Sequence, residues 1–242
     1  MSVLGGLENA NVPAGKTGPE THGHGGGLGD LLVLQSGLPL YLAGGVPVSA
    51  DGLSGREHLA KRSLDIVLSG TALVVLAPFL FIVALALKVT GSGPVLFAQS
   101  REGRGGRLFL IYKFRTMAAG TQTVTRLGHL LRRTSVDELP QLLNVLRGEM
   151  SLVGPRPHVP GMQAGGMPYR ELVPYYDKRL SLLPGLTGWA QVNGLRGSVS
   201  DAALARSRVD HDVAYIQNAS LWLDIRIIGR TLVREFLRGT GS

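Results

Sequence analysis

From residue 66 to residue 87 the chain carries 22 consecutive uncharged, mainly apolar residues. As a helix rising about 1.5 Å per residue, that run reaches about the ~30 Å thickness of a bilayer's hydrocarbon core. A single spanning helix is the plain reading, but the flanks and the middle point elsewhere. Arg56, Lys61 and Arg62 precede the run, and Lys88, Arg101, Arg104 and Arg107 follow it. The positive-inside tendency then sets both ends at the cytoplasmic face. Pro78, near the centre, lacks an N–H and clashes with the preceding turn. These features predict a re-entrant helix-break-helix over residues 58–90 that enters and leaves through one leaflet.

Beyond Lys88 the pattern becomes that of a globular domain over residues 91–242. Residues 94–99 and 108–114 read as strands, and 126–133 and 140–147 as short amphipathic helices. Pro155, Pro157 and Pro160 impose loop structure after them. Residues 221–237 read as a helix with Arg226, Arg230, Arg234 and Arg238 on one face. Such a face suits an anionic membrane surface, or is simply solvated.

Residues 1–57 hold 14 of the 34 glycines and show no sustained period. Such a segment buries too little apolar surface to offset its ordering entropy, so a disordered tail is expected. Its apolar stretch at 31–42, broken by Gly37 and Pro39, offers peripheral adhesion at most. His22 and His24 lie in the same glycine-rich setting, which lacks the preorganisation a metal site needs. The tail carries a net charge of −3 and the remainder +11. A basic body predicts an anionic partner, whether nucleic acid, phosphorylated substrate or lipid headgroups. With no cysteine, disulfides, thiolate metal sites and thiol nucleophiles are excluded. No basic segment followed by an apolar core and cleavage site marks a secretory signal at the N-terminus.

Three segments carry candidate chemistry. Ser135-Val136-Asp137-Glu138-Leu139-Pro140 sets adjacent carboxylates where a helix begins, available as nucleophile or magnesium ligands. A capping box from Ser135 to Glu138 explains the same residues without chemistry and is, on local physics, the stronger reading. Arg156 stands between Pro155 and Pro157, whose fixed φ reduces the entropy lost in clamping a phosphate, although a solvent-facing arginine fits as well. Arg101, Arg104, Arg107, Lys113 and Arg115 form a basic cluster for phosphates or headgroups, or merely a positive surface. Residues 184–191 form a glycine-shaped loop whose Trp189 and Gln191 suit a base or sugar, or else a packed turn.

Taken in order, these pieces resemble the bacterial sugar transferase family, the monotopic phosphoglycosyl transferases. The resemblance runs from Lys61, Arg62 and Asp65 through Gly93-Pro94, Lys113-Phe114-Arg115-Thr116-Met117 and Asp137-Glu138-Leu139-Pro140-Gln141. It continues through Gly148 to Pro157, then Pro184, Gly185, Thr187, Gly188 and Gln191, and ends at Tyr215, Ser220 and Asp224. It departs at Ala77, where the family usually has Ser, at Val136 in place of Leu, and in a short link between Met117 and Arg126.

The resemblance implies a small α+β, membrane-associated catalytic domain with a re-entrant hairpin marked by Lys61, Arg62, Asp65 and Pro78, and with interfacial amphipathic helices. It implies the compact form of the family with a tail. Asp137 inherits the role of nucleophile and Glu138 that of its partner, both holding Mg2+. Arg156, Lys113, Arg115, Arg101 and Gln191 are expected to bind substrate. The implied reaction moves a sugar 1-phosphate from a UDP-sugar to polyprenyl phosphate and releases UMP, at the cytoplasmic face of the inner membrane. No nucleic acid partner is then expected, and a homo-oligomer is left open. The alternatives are a glycosyl transferase releasing UDP and a non-catalytic basic membrane adaptor.

Overall fold

The computed structural model describes residues 31–48, 53–91, 93–118, 120–121, 123–197 and 201–238, with side chains through Arg234. It opens with an antiparallel meander of β1 (Leu31–Val33), β2 (Pro39–Ala43) and β3 (Val46–Pro47). The tail expected through residue 57 is corrected here. Alternation along β2 buries Leu40 to 1% exposure against Val209 and Val213, with Leu32, Leu34, Leu38 and Leu42 packed around it. Gln217 donates to the Tyr41 and Val48 carbonyls, and Asn218 to that of Pro39. The glycines hid this because alternation over so few residues is a weak signal. His22 and His24 lie outside the described residues.

α1 (Gly55–Thr90) is a single assigned helix, and the break expected at Pro78 does not interrupt it. The Glu57 carboxylate accepts from the Ser54 N–H and hydroxyl at 2.9 and 2.8 Å, fixing its start. In its most apolar 18-residue window only 11% of residues are buried, which sets the run apart from a packed core helix. Both ends are nevertheless joined to the same globular body. Near the start, Lys61 and Asp65 are buried. Near the end, Val83 and Leu87 pack with Phe114 and Leu131, and Arg115 donates Nη2 to the Leu87 carbonyl at 3.0 Å.

β4 (Leu96–Glu102) and β5 (Leu108–Phe114) form an antiparallel hairpin in which Phe97 pairs with Lys113 and Arg101 with Phe109. Thr125 caps α2 (Arg126–Arg133) by accepting from Gly128 N–H. A short 3-10 helix, Val136–Gln141, then leads into α3 (Leu142–Arg147). The helix expected over 140–147 is thus a 3-10 turn feeding an α-helix, because Pro140 has no N–H to give.

β6 (Ser151–Val153) is followed by β7 (Gln163–Ala164), β8 (Met167–Pro168) and α4 (Tyr169–Leu172). β9 (Gly185–Thr187) then pairs parallel to β6 and precedes α5 (Trp189–Val192), α6 (Ala202–Gln217) and α7 (Leu221–Arg238). A Cβ on Gly185 would collide with the Gly154 backbone, and one on Gly188 with the Gly154 carbonyl. Only glycines allow the turn after β6 to lie this close to β9.

α7 corrects the expected basic face. Arg230 sits over the Trp189 ring, 5.2 Å from its centroid, and Arg234 donates to the Gln191 and Val192 carbonyls. Both therefore face the body. The outward stripe is apolar instead: Trp222 is 75% exposed, and Ile225, Leu232 and Val233 continue it, with Arg226 at its border.

Candidate active site

Ser135 adopts a left-handed conformation with φ 55° and its side chain makes no capping bond, so the capping box read from the sequence does not form. Glu138 is engaged elsewhere. Its Oε1 accepts from Lys113 Nζ at 2.6 Å and from Arg156 Nη2 at 2.5 Å, and its Oε2 from Arg156 Nη1 at 3.2 Å. Three separate elements meet there: β5 brings Lys113, the 3-10 turn brings Glu138, and the loop after β6 brings Arg156. Burial pushes the Glu138 carboxyl up, but the Arg156 guanidinium and the Lys113 ammonium pull it well below the usual carboxylate range.

Asp137 is in the opposite condition. Burial, helped by the negative charge of Glu138, pushes its carboxyl up to about 6, with Lys113 and Arg132 pulling the other way. Arg132 is held nearby by its Nε bond to Thr116 Oγ1 at 2.9 Å. The two neighbouring carboxylates are thus driven apart: one locked as a charged anchor, the other near the titration range where a group can act as nucleophile or base.

Of the other expected residues, Arg101 lies by the Pro157 carbonyl, 3.5 Å from its Nη1, and donates Nη2 to Gln99 Oε1 at 2.6 Å. Arg115 turns to the end of α1 rather than to the carboxylates. Gln191 is buried and donates to the Leu186 carbonyl, bracing the glycine loop. Lys61 donates to Asp224 Oδ2 at 2.6 Å and to the Val153 carbonyl at 2.9 Å. Arg62 donates to the Val145 and Leu146 carbonyls, and Asp65 accepts from Ser151 Oγ and Leu152 N–H. Lys61, Arg62 and Asp65, expected as membrane-hairpin markers, therefore clamp the segments on either side of the site. Pro78 is exposed in the middle of α1.

Sequence reading missed the layer behind Arg156. Arg179 donates Nη2 to the Arg156 carbonyl at 2.5 Å and pairs with Asp212 across a wholly buried interface. His158 Nδ1 meets the Tyr176 hydroxyl at 3.0 Å, and that hydroxyl donates to Glu102 Oε2 at 2.9 Å. The partners lie 18 to 74 residues apart, so no local pattern announces them.

Among the described residues no cluster of three or more His, Asp or Glu is arranged to hold a metal. Both Glu138 oxygens are taken by cations, which leaves Asp137 as the available protein carboxylate. Magnesium often takes only one or two carboxylates together with substrate phosphates and water, and Asp137 fits that habit.

A long apolar helix clamped to a body that carries basic side chains around two differentiated carboxylates suits a class, the transferases of anionic substrates. The chain belongs to the bacterial sugar transferase family, whose profile matches residues 56–238. It is 52% identical over 198 residues to an exopolysaccharide production protein of Rhizobium leguminosarum bv. phaseoli, covering 76% of this chain and 99% of the other. It is 48% identical to an undecaprenyl-phosphate glucose phosphotransferase of Komagataeibacter xylinus, over 76% of this chain and 37% of that one. With the UDP-glucose:undecaprenyl-phosphate glucose-1-phosphate transferase of Escherichia coli strain K12 it shares 43% identity, over 84% of this chain and 45% of that one. The chain thus spans nearly all of the first relative and less than half of the other two.

Proposed function

We propose that this chain transfers a sugar 1-phosphate from a UDP-sugar to a polyprenyl phosphate at the cytoplasmic face of the inner membrane, as the first membrane step of exopolysaccharide synthesis. The observation that carries the proposal is the split pair. Asp137, its carboxyl pushed up to about 6 by burial, sits beside a Glu138 locked between Lys113 and Arg156.

In the first step Asp137 Oδ attacks the β-phosphorus, the new O–P bond forms, and the bond to the α-phosphate oxygen breaks to release UMP. In the second, a phosphate oxygen of the lipid attacks the same phosphorus and restores the Asp137 carboxylate. Arg156 and Lys113 supply fixed positive charge where the transferring phosphoryl group is most negative. Glu138 keeps both cations in place. Magnesium, when bound, would neutralise charge on the diphosphate, with Asp137 as its protein ligand.

Lys61 near the start of α1 and Leu87 near its end are both bonded to one body, which supports both ends lying at one face of the membrane. The apolar stripe on α7 supports a body resting at headgroup level, within reach of a lipid phosphate.

The printed names of the Escherichia coli and Caulobacter vibrioides relatives make UDP-glucose the first donor to try, and that of the Aeromonas hydrophila relative makes UDP-N-acetylgalactosamine the second. Membranes holding the protein, given these donors and polyprenyl phosphate, are expected to release UMP. Asp137→Asn is expected to abolish release and to leave no phosphosugar adduct on the chain. UDP as the released nucleotide, or full activity in the Asp137→Asn variant, overturns the proposal.

A further inference from the structure

One face of the β4–β5 hairpin runs from the end of α1 to the site. Side chains alternate along a strand, so Val95, Phe97 and Arg101 share that face with Lys113 and Arg115. The pairing extends one step beyond the strands, where the Arg115 N–H donates to the Val95 carbonyl at 2.9 Å. This first rung is fixed to α1: Val95 packs against the cluster holding Val83 and Leu87, and Arg115 Nη2 donates to the Leu87 carbonyl. On the next rung of the same face, about 7 Å away at a strand's usual rise, Phe97 stands opposite Lys113. Farther along, Arg101 lies by the Pro157 carbonyl, next to Arg156.

Phe97 is the exception on this face. Arg101, Lys113 and Arg115 each donate to an acceptor within the protein, whereas the Phe97 ring is 49% exposed. A cross-strand pair sets its Cβ atoms about 4.5–5.5 Å apart, so the ring rises beside the Lys113 stem. An exposed phenyl between a cation and the end of an apolar helix matches an amphiphile, with an anionic head at the cation and an apolar chain leading toward the helix. A diphosphate has the opposite requirement. It needs cations along its length, and those lie on the other side of Lys113, at Arg156 and Arg101. The two ends of the hairpin face thus suit two different ligands.

We propose that Phe97 receives the isoprene units nearest the phosphate of the polyprenyl phosphate, so that the lipid reaches Lys113 from the α1 side and the nucleotide sugar from the Arg156 side. The identity of the ligand rests on the reaction proposed above. Because the contact is with the units next to the head, a prenyl phosphate of two units makes it as fully as a long chain does.

The test uses the full chain in nanodiscs, charged with labelled phosphosugar from a UDP-sugar and discharged by polyprenyl phosphate or by geranyl phosphate. Phe97→Ala is expected to raise the half-saturating concentration of both acceptors by about tenfold, the order expected when half of a phenyl side chain loses an apolar partner, and Phe97→Leu to recover most of it. A change within about twofold for both acceptors, less than one buried methylene is worth, refutes the contact. If Phe97→Ala instead slows charging by the UDP-sugar in the absence of lipid and leaves acceptor saturation alone, the ring serves the uracil base and the proposal is equally overturned. Should Phe97→Ala not fold, Phe97→Gln takes its place in the same assay.

A second readout needs no turnover. A prenyl phosphate carrying a photoreactive diazirine in its first unit is expected to label residues 94–97 of the wild type, and labelling confined to α7 counts against the contact. If no donor yields UMP while the probe still labels residues 94–97, the transferase proposal fails and the lipid contact stands. If UMP is released and lipid discharges the enzyme, but neither saturation nor labelling involves Phe97, the contact fails alone.

Discussion

At the scale of single residues, the chemistry turns on two neighbours that share a backbone and little else. Burial holds Asp137 at about 6, so its reactive, ionised form falls away as pH drops through that value. In magnesium-free buffer the yield of trapped phosphosugar adduct is expected to halve near pH 6 and to be flat above about pH 7.5, one and a half units higher. A yield unchanged down to pH 5 would remove Asp137 from the role. The Asp137-Glu138 pair was legible because adjacent acids before a proline are a local pattern, as was an arginine held between two prolines. Which acid reacts was not legible. That depends on Lys113 and Arg156 closing on Glu138 from 25 and 18 residues away. The capping reading of Ser135 failed for the same reason: the stronger cations win the carboxylate.

At the scale of elements, α1 and β6 behave as one piece. Lys61 donates to both the Val153 carbonyl and Asp224, and the Tyr215 hydroxyl donates to Asp224 at 2.7 Å while lying 3.3 Å from the Val153 carbonyl. Arg156 follows only three residues later, so a loosened α1 should be felt at the cleft. Lys61→Met strands a buried Asp224 carboxylate and is expected to cost about 3–5 kcal/mol, measured by denaturant unfolding in detergent. The crowded turn gives a second expectation. Gly185→Ala has no space for its methyl beside Gly154, and a loss of about 1–3 kcal/mol should appear in the same measurement. Strand β5 and helix α2 were read from their alternation and period with their observed limits. The meander over residues 31–47 was not, because its core is completed by α6, far along the chain.

At the scale of the whole molecule, the net positive charge proved a poor guide to surface. Several arginines expected to face lipid or solvent are turned inward onto carbonyls and rings, and the outward face of α7 is apolar. Attachment by that face should survive salt, because hydrophobic contacts are not screened as exposed charges are. Trp222→Glu is accordingly expected to make α7 more accessible to a water-soluble probe in vesicles, with α1 still holding the protein there, while raising ionic strength alone leaves the wild type nearly unchanged. A rise in wild-type accessibility with salt would show that basic residues hold that face instead. Helix α1 was legible as a long apolar run; its clamp to the body was not, since the clamping residues look like ordinary flanking charges.

That clamp also sets an order of events during synthesis. Lys61 leaves the ribosome 163 residues before Asp224, a delay of about ten to thirty seconds at ordinary elongation rates. Throughout it the nascent helix can already meet lipid while its ammonium must stay hydrated at the surface. The finished C-terminal third then supplies the Asp224 carboxylate, so a chain stalled before α7 would keep the Arg62 and Asp65 contacts of the helix and leave Lys61 without its acid.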